Sequence, residues 1–186
     1  MFDLPDTGKI ISLWSRLSVG KYIMEAFAGC VPLLRKRSDV YLVIAGDGEL
    51  KERIRMAADE MGIGSQVLLL GKRGHDFIGN LARNSDVVIA PYSGSSLVEC
   101  AMLERPCVAF NIEWHNELIT DGETGWLVDH ASPSRIAAAL EEAIDKPMIG
   151  RERAQRLKAR AEKMFDEGVI EASFEEIYER LLDERP

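Results

Sequence analysis

Between Ser85 and Gly125 the chain reads SDVVIAPYSGSSLVECAMLERPCVAFNIEWHNELITDGETG. In this stretch an apolar run from Asp86 to Ala90 precedes a small polar loop and a segment of helical character. Arg105-Pro106 ends the predicted helix, because proline lacks the backbone N–H that a helix needs, and a second apolar run from Cys107 to Phe110 follows. The order strand, loop, helix, strand predicts a parallel crossover unit.

The alternation of apolar runs and helical patterns continues through the rest of the chain. Strands are predicted at residues 9–14, 40–45, 66–70, 86–90, 107–110 and 124–128. Helices are predicted at residues 22–35, 49–61, 75–84, 96–103, 132–145, 148–165 and 171–183. We therefore predict an α/β fold, a single Rossmann-like doubly wound parallel sheet of about six strands with C-terminal helices. The predicted division is a linker at 1–8, a Rossmann-like domain at 9–145 and packing helices at 146–186.

Length, charge and cysteine content limit the class of protein. With 186 residues, of which 46% are hydrophobic, the chain is long enough for one well-buried domain. Its net charge of −8 argues against nucleic acid or an anionic membrane surface as the main partner, because both attract basic proteins. Cys30, Cys100 and Cys107 lie in apolar contexts without metal-ligand spacing, so we expect buried, reduced thiols. We find no signal peptide or integral membrane segment in the sequence and expect a cytoplasmic protein.

The loop after the fourth predicted strand has the features of an anion site. It opens a helix, whose unpaired N–H groups favour an anion, and phosphate is the natural ligand. Gly94 allows a ligand to approach the backbone closely, while Ser93, Ser95 and Ser96 offer small hydroxyl donors. Glu99 does not suit a phosphate, and two interpretations remain open. Glu99 accepts hydrogen bonds from ribose hydroxyls, or it forms a capping box with Ser96 at the helix start.

Two further strand-to-helix loops carry candidate residues. The loop after the first strand is bracketed by two cations, Arg16 and Lys21. A guanidinium gives a bidentate contact and an ammonium gives a mobile point charge, so the pair suits a diphosphate without a metal. Two ordinary solvated surface cations are the alternative interpretation. Gly46 and Gly48 follow the second strand, and we interpret them first as architecture, because glycines are expected in this turn of any doubly wound domain.

Together, the ordered motifs resemble those of the C-terminal half of GT-B glycosyltransferases, specifically the retaining family 4 (group 1) enzymes that use nucleotide sugars. The matching positions are Arg16 and Lys21 of a Gly-Arg-Leu-x-x-x-Lys segment, Gly46-x-Gly48, Gly94, Glu99, Ala101, Pro106 and Glu117-Leu118-Ile119-x-Asp121-Gly122-x-Thr124-Gly125. Two positions depart from the family pattern, since Ser15 replaces a glycine and Pro91 stands at the first acidic position. The resemblance covers about Lys9 to Asp145.

The resemblance implies the donor-binding domain of a hexosyltransferase of glycan biosynthesis, which transfers sugar with retention from a UDP-, GDP- or ADP-sugar to an acceptor hydroxyl. Arg16 and Lys21 then stabilise the departing diphosphate, Glu99 holds the ribose, and the loop with Lys72 and Arg73 touches the base through its backbone. No cofactor is implied, and we expect no metal, because the sequence has no Asp-x-Asp or histidine cluster to hold one. The family builds its active site between two domains. An N-terminal acceptor-binding domain is therefore the implied partner, and we expect this domain alone to be inactive.

Two other functions stay open at this point. Nucleotide-sugar epimerases of the same fold class also carry a Ser-Gly-x-x-x-x-Glu loop, much like Ser93-Gly94 to Glu99. A non-catalytic nucleotide-binding or protein-interaction module is consistent with the proline at Pro91.

The three histidines are His75, His115 and His130. None of them pairs with a nearby cysteine, serine or second histidine in a catalytic or metal-binding pattern, so we expect each to be an exposed loop residue. His115 is of most interest, because it follows the fifth strand at the edge where the phosphate loops should lie.

Overall fold

In the computed structural model, which describes residues 8–92 and 94–183, six strands form a single parallel sheet. The strands are β1 (Lys9–Trp14), β2 (Val40–Ala45), β3 (Val67–Leu69), β4 (Val87–Ala90), β5 (Cys107–Phe110) and β6 (Trp126–Val128). Their order across the sheet is β3-β2-β1-β4-β5-β6. Because the order reverses between β1 and β4, the loops at the carboxyl ends of these two strands flank a crevice. The predicted doubly wound α/β fold is confirmed.

Helices cover both faces of the sheet. They are α1 (Ile23–Lys36), α2 (Lys51–Glu60), α3 (His75–Arg83), α4 (Ser95–Met102), α5 (His115–Leu118), α6 (Pro133–Asp145), α7 (Pro147–Met164) and α8 (Glu167–Asp183). Side chains of α1, α2 and α6 pack on one face, while those of α3, α4 and α7 pack on the other. Parallel strands need such crossover connections, and the strand-to-helix loops therefore collect at one edge of the sheet.

The central strands are buried on both faces, which explains their continuous apolar sequences. In β2, Leu42 and Ile44 belong to the core under α1, whereas Val43 and Ala45 belong to the core under α4. All four side chains are at most 3% exposed. Parallel sheets covered on both faces have this pattern, and the removal of these apolar side chains from water is the main stabilising contribution to the fold.

The turn after β2 depends on two close backbone approaches. A Cβ atom on Gly46 would overlap the carbonyl oxygen of Ser15, and one on Gly48 would overlap the carbonyl oxygen of Leu17. Gly48 also has a φ of 152°, a conformation that other residues rarely adopt. The two glycines therefore allow the turn after β2 to pack directly on the loop after β1, in agreement with the architectural interpretation.

Some element bounds differ from those predicted. α2 begins at Lys51 instead of Glu49, and β3 loses its first predicted residue, Gln66, to a 3-10 turn. The backbone N–H of Gln66 donates to the carbonyl oxygen of Ile63 at 2.9 Å within this turn, and its side-chain amide donates to the carbonyl oxygen of Val40 at 2.7 Å. α5 was not predicted, because its four residues are too few to show helical periodicity.

The two C-terminal helices differ in burial. α7 packs on α4 through Leu157 and Ala161, which are both fully buried. α8 begins at Glu167 rather than at Glu171. Its exposed apolar side chains are Val169, Ile170, Phe174, Ile177, Tyr178 and Leu182. None of the helices in the described part of the chain has the length and apolar character needed to cross a membrane.

All three cysteines are buried and free of disulfide bonds, as predicted. Burial raises the pKa of the Cys30 thiol to about 12, and burial is also the main cause that raises the pKa of Cys100. Both thiols therefore stay protonated and behave as small apolar core residues.

Candidate functional site

A pocket of about 420 Å³ opens at the carboxyl ends of β1, β2 and β4, next to the loop that follows β3. Its lining residues are Trp14, Ser15, Arg16, Ala45, Gly46, Asp47, Lys72, Arg73, His75, Ile78, Gly94, Ser95, Ser96 and Glu99. Ligands of doubly wound domains bind at this edge, where the strand order reverses. The structure therefore brings together the predicted residues Arg16, Gly46, Lys72, Arg73, Gly94, Ser95, Ser96 and Glu99.

Two of the predicted site residues that the structure describes are not part of this lining. Gly48 packs behind it against the backbone of Leu17, so it shapes the loop after β1. The ammonium of Lys21 lies 3.7 Å from the centre of the Tyr92 ring, outside the pocket lining that includes Arg16. Ser93 lies outside the described residues.

The loop after β1 presents Arg16 at the pocket. The N–H of Ser15 donates to the carbonyl oxygen of Ala45 at 3.2 Å, and the N–H of Leu17 donates to that of Asp47 at 3.0 Å. These bonds fix the backbone on both sides of Arg16, whose side chain is exposed. A guanidinium held in this way is preorganised for a multivalent anion.

The start of α4 forms the opposite wall. Gly94, with a φ of 127°, precedes the helix and has no side chain to cap it. The first N–H groups of an α-helix have no partner within the helix, and the positive end of the helix dipole lies there. Because Ser95 and Ser96 line the pocket, these donors are available to an anion inside it.

Glu99 is tied to the end of β1 and does not cap its helix. Trp14 donates its indole Nε1–H to Oε2 of Glu99 at 2.7 Å. α4 begins at Ser95 after Gly94, with no capping hydrogen bond from a side chain. The capping-box interpretation of Ser96 and Glu99 is therefore wrong. Ser96 lies inside the helix rather than at its N-cap, and the carboxylate of Glu99 accepts from Trp14 instead.

The carboxylate of Glu99 keeps hydrogen-bonding capacity for a ligand. Its other oxygen, Oε1, lies 3.8 Å from Nδ1 of His75, a side chain that is 95% exposed. Within residues 8–92 and 94–183, no lysine or arginine lies within ion-pair distance of Glu99. A carboxylate has about four acceptor positions, and the single bond from Trp14 leaves most of them unused.

Cations line the rest of the pocket. Lys72 and Arg73 reach it from the loop after β3, and Arg73 lies over the ring of Phe77 at 5.1 Å. Asp47, the other acid of the lining, is paired with Lys51 at 3.1 Å, and this hydrogen bond is the main cause that lowers the pKa of Asp47. The pocket thus combines Arg16, Lys72 and Arg73 with one carboxylate that has no cationic partner among the described lysines and arginines, Glu99.

The histidines fall in three different environments. His75 is exposed as expected, and the side chain of His130 is 35% exposed and packs edge-on against Tyr22. The expectation is wrong for His115, which is fully buried because α5 turns its ring toward the end of β5. Nδ1 of His115 donates to the carbonyl oxygen of Phe110 at 2.8 Å, and burial lowers the pKa of His115. His115 does not line the pocket.

The motif from Glu117 to Gly125 fixes a turn before β6. The N–H of Thr120 donates to Oγ1 of Thr124 at 2.8 Å, and Arg160 of α7 donates to Oγ1 of Thr120 at 2.7 Å. None of these residues lines the pocket. The hydrogen bond from Arg160 shows instead that the motif anchors α7.

Sequence reasoning missed six residues of the lining, which are Trp14, Ser15, Ala45, Asp47, His75 and Ile78. The position of Trp14 as the last residue of a strand, directly before a candidate phosphate loop, is a signal that could have found it. Its partner Glu99 lies 85 positions away, so the hydrogen bond itself leaves no local pattern. The described residues contain no group of three or more His, Cys, Asp or Glu side chains that could hold a metal ion.

Comparison with known proteins identifies the family of this chain. The family model described as glycosyl transferases group 1 matches residues 2–164. The chain is 29% identical over 148 residues to the alpha-D-kanosaminyltransferase of Streptomyces kanamyceticus, and the matched region covers 77% of this chain and 38% of that enzyme. The chain therefore spans less than half the length of this relative.

Solved structures show the same fold. Anabaena HepE in complex with UDP and glucose matches 94% of this chain and 49% of its own chain, with a TM-score of 0.81 and 21% identity. The isolated C-terminal domain of a group 1 glycosyl transferase from Francisella tularensis matches 84% of this chain and 85% of its own, with a TM-score of 0.75 and 21% identity. The chain thus belongs to the glycosyl transferases of group 1 and has the fold of a C-terminal domain of that family.

Proposed function

We propose that this chain binds a nucleoside-diphosphate sugar in the pocket at the carboxyl edge of the sheet, as the donor-binding domain of a glycosyltransferase. The whole protein then transfers the sugar to an acceptor hydroxyl with retention and without a metal ion. Family membership supports the transferase over the epimerase interpretation. The structure of HepE with UDP and glucose supports a UDP-sugar as the first donor to test.

The observation that carries the proposal is the position of Glu99 opposite cations in one pocket. Trp14 holds one oxygen of Glu99 at 2.7 Å and so fixes the rotamer of the side chain. A ribose presents two neighbouring hydroxyl donors, which suit a carboxylate with free acceptor positions. A carboxylate without a cationic partner would repel a bare phosphate, so the ligand must carry hydroxyl groups as well as charge.

The diphosphate of the donor then lies between Arg16 and the start of α4. In the transfer step the bond between the anomeric carbon and the diphosphate oxygen breaks, and the diphosphate leaves with the electron pair. The acceptor oxygen forms the new bond to the anomeric carbon and gives its proton to the leaving diphosphate. Fixed donors and cations at the place where the negative charge develops lower the barrier, because they need no reorganisation during the reaction.

The base lies near the loop after β3 in this arrangement. Lys72 and Arg73 belong to this loop, and Gly71 before them has a φ of 69°. The N–H of Gly46 donates to the carbonyl oxygen of Gly71 at 2.9 Å, which ties the loop to the turn after β2. A loop fixed in this way can offer its backbone groups to the edge of a base.

The acceptor site belongs to a separate domain in this proposal. The matched region covers less than half of the kanosaminyltransferase, and the pocket lies at the edge of the sheet. We therefore expect the purified chain to bind donor nucleotide and to transfer no sugar at enzyme-like rates. Such transfer by the chain alone would contradict the two-domain proposal.

Calorimetric titration of the chain with UDP, ADP and GDP, with and without a chelator, tests the binding proposal. We expect the chain to bind a nucleoside diphosphate with an affinity that the chelator leaves unchanged. Arg16→Ala should weaken this binding by roughly 1.5–3 kcal/mol, the range for a hydrogen bond to a charged group. Arg55→Ala is the matched control, since Arg55 is an exposed arginine on α2 that pairs with Glu52 and Asp59 outside the pocket.

The outcomes separate the possible functions. Strict dependence on a divalent metal would remove the metal-free clamp, and equal affinities of the Arg16→Ala protein and the parent would remove Arg16 from the site. Absence of binding to all three diphosphates would leave a protein-interaction module as the better explanation.

A further inference from the structure

The ammonium of Lys21 rests on an aromatic ring of another loop. Its Nζ atom lies 3.7 Å from the centre of the Tyr92 ring, within the distance range of a cation–π interaction. Among the described residues, Lys21 has no carboxylate within ion-pair distance. The face of Tyr92 is therefore what locates this charge.

The Tyr92 ring also packs against a second tyrosine. Tyr22 stacks on it with ring centres 6.1 Å apart and an interplanar angle of 27°. Tyr22 in turn packs edge-on against His130 at 4.7 Å and against Phe110 at 6.5 Å. Offset aromatic contacts of this kind restrict the rings, so Tyr92 offers Lys21 a fixed surface.

The contact joins two loops that each supply a residue to the pocket lining. Lys21 follows Arg16 by five positions in the loop after β1, and Tyr92 precedes Gly94 by two positions in the loop after β4. Arg16 and Gly94 both line the pocket. The contact between Lys21 and Tyr92 therefore links the loop that carries Arg16 to the loop that carries Gly94.

We propose that Tyr92 is a positioning residue that holds the ammonium of Lys21 at the rim of the donor pocket, ready to contact the diphosphate. The inference rests on the proposed function. An ammonium has three N–H donors, and a ring face occupies one of them, so the others remain free for phosphate oxygens. A lysine side chain loses considerable rotamer entropy when it is fixed. Because the contact with the ring already restricts Lys21 in the free protein, less of this entropy is lost when the ligand binds.

A double-mutant cycle on UDP affinity tests this inference. Tyr92→Leu removes the ring face, Lys21→Met removes the charge but keeps the stem, and the double variant combines them. We expect Tyr92→Leu to weaken UDP binding about three- to tenfold in the parent and less than twofold in the Lys21→Met background, because without the charge the ring has nothing to position.

Tyr92→Phe separates positioning from folding. Phenylalanine keeps the ring face and removes the hydroxyl, so we expect UDP affinity within about twofold of the parent. Melting temperatures of all variants show whether each one is folded. If Tyr92→Leu does not fold, Tyr92→Met takes its place in the cycle with the same expected losses, because methionine fills the space of the ring without offering an aromatic face.

Each outcome decides the question. Equal losses from Tyr92→Leu with and without the Lys21 charge, or tighter UDP binding by Tyr92→Leu, would overturn the inference, the latter because the ring would then compete with the diphosphate. If the parent protein binds UDP and the cycle shows no coupling between Lys21 and Tyr92, this inference alone is overturned. A parent that binds no nucleoside diphosphate overturns the proposed function together with it.

Discussion

Two tryptophan–glutamate hydrogen bonds occur in the described part of this chain, and they differ in what surrounds the carboxylate. Trp14 donates to Glu99 at 2.7 Å, and Trp126 donates to Glu142 at 2.8 Å. Glu142 is also paired with Lys146 at 3.2 Å and lies 3.9 Å from Arg153. Glu99 has no lysine or arginine at such a distance among the described residues.

The hydrogen bond between Trp126 and Glu142 links the sheet to its helices. Arg153 of α7 lies over the Trp126 ring at 4.3 Å, and Glu142 belongs to α6, so β6, α6 and α7 meet there. The hydrogen bond from Trp126 is the main cause that lowers the pKa of Glu142, followed by that from Lys146. The charge of Glu142 is thus satisfied within the fold.

The difference predicts separate roles for the two carboxylates. A carboxylate with cationic partners contributes to stability, whereas one held by a neutral indole N–H keeps most of its acceptor positions for a ligand. Glu99 lies in the pocket and Glu142 does not. We therefore expect exchange of the two carboxylates for amides to separate binding from stability.

The largest effect is expected for Glu99→Gln. The amide can still accept from Trp14, but it bonds ribose hydroxyls less strongly than a carboxylate. UDP affinity should fall by about 1–3 kcal/mol. Calorimetry measures the loss, and Glu142→Gln serves as the control with parent-like affinity. Unchanged affinity in Glu99→Gln would remove Glu99 from the site and leave Arg16 and the Gly94 loop as the donor-binding residues.

Glu142→Gln should instead lower the free energy of unfolding. Loss of the charge weakens the bond from Trp126 and leaves Lys146 and Arg153 without a counter-charge. Because the side chain is 34% exposed, solvent screens part of this effect and we expect a loss of about 1 kcal/mol. Urea unfolding of both glutamine variants measures it. A greater loss of stability from Glu99→Gln than from Glu142→Gln would reverse the comparison.

Replacement of Trp14 and Trp126 by phenylalanine tests the same difference between the two hydrogen-bonded pairs. Trp14→Phe keeps an aromatic ring and removes the Nε1–H that orients Glu99, so UDP affinity should fall by about 1 kcal/mol, the net contribution of one hydrogen bond. Trp126→Phe is the matched control and should bind UDP as the parent does. Equal affinities of the two phenylalanine variants would show that Glu99 does not depend on Trp14 for its position.

The smallest effect concerns pH. The pKa of Glu142 in the folded chain is below its ordinary value of 4.5, so the folded state releases this proton more readily than the unfolded state. The resulting stabilisation is complete above pH 4.5 and is lost as the pH falls through the folded pKa. The stability difference between the parent and Glu142→Gln, measured by urea unfolding, should therefore shrink as the pH falls below 4.5. A difference that grows on acidification would contradict this linkage.

The sequence predicted the fold well, because buried parallel strands such as VYLVIA at 40–45 are continuous apolar runs with glycine turns behind them. It also predicted which loops meet, since strand order and direction bring their carboxyl ends to one edge. It did not predict the direction of Glu99, because Trp14 lies 85 positions away and a capping box has the same local spacing. The burial of His115 was missed for a similar reason, since it depends on how α5 packs against β5.

The most direct test of Glu99 and Trp14 as parts of a nucleotide site uses the indole N–H signals of the three tryptophans. A two-dimensional ¹H–¹⁵N spectrum resolves Trp14, Trp114 and Trp126, and the Trp14→Phe and Trp126→Phe variants assign the signals. On titration with UDP in the presence of a chelator, we expect the Trp14 signal to shift with saturation, because its acceptor Glu99 acquires ribose hydroxyls. The Trp126 signal should stay in place. A Trp14 signal that does not move at saturating UDP, or one that moves no more than that of Trp126, would contradict a donor site built on Glu99.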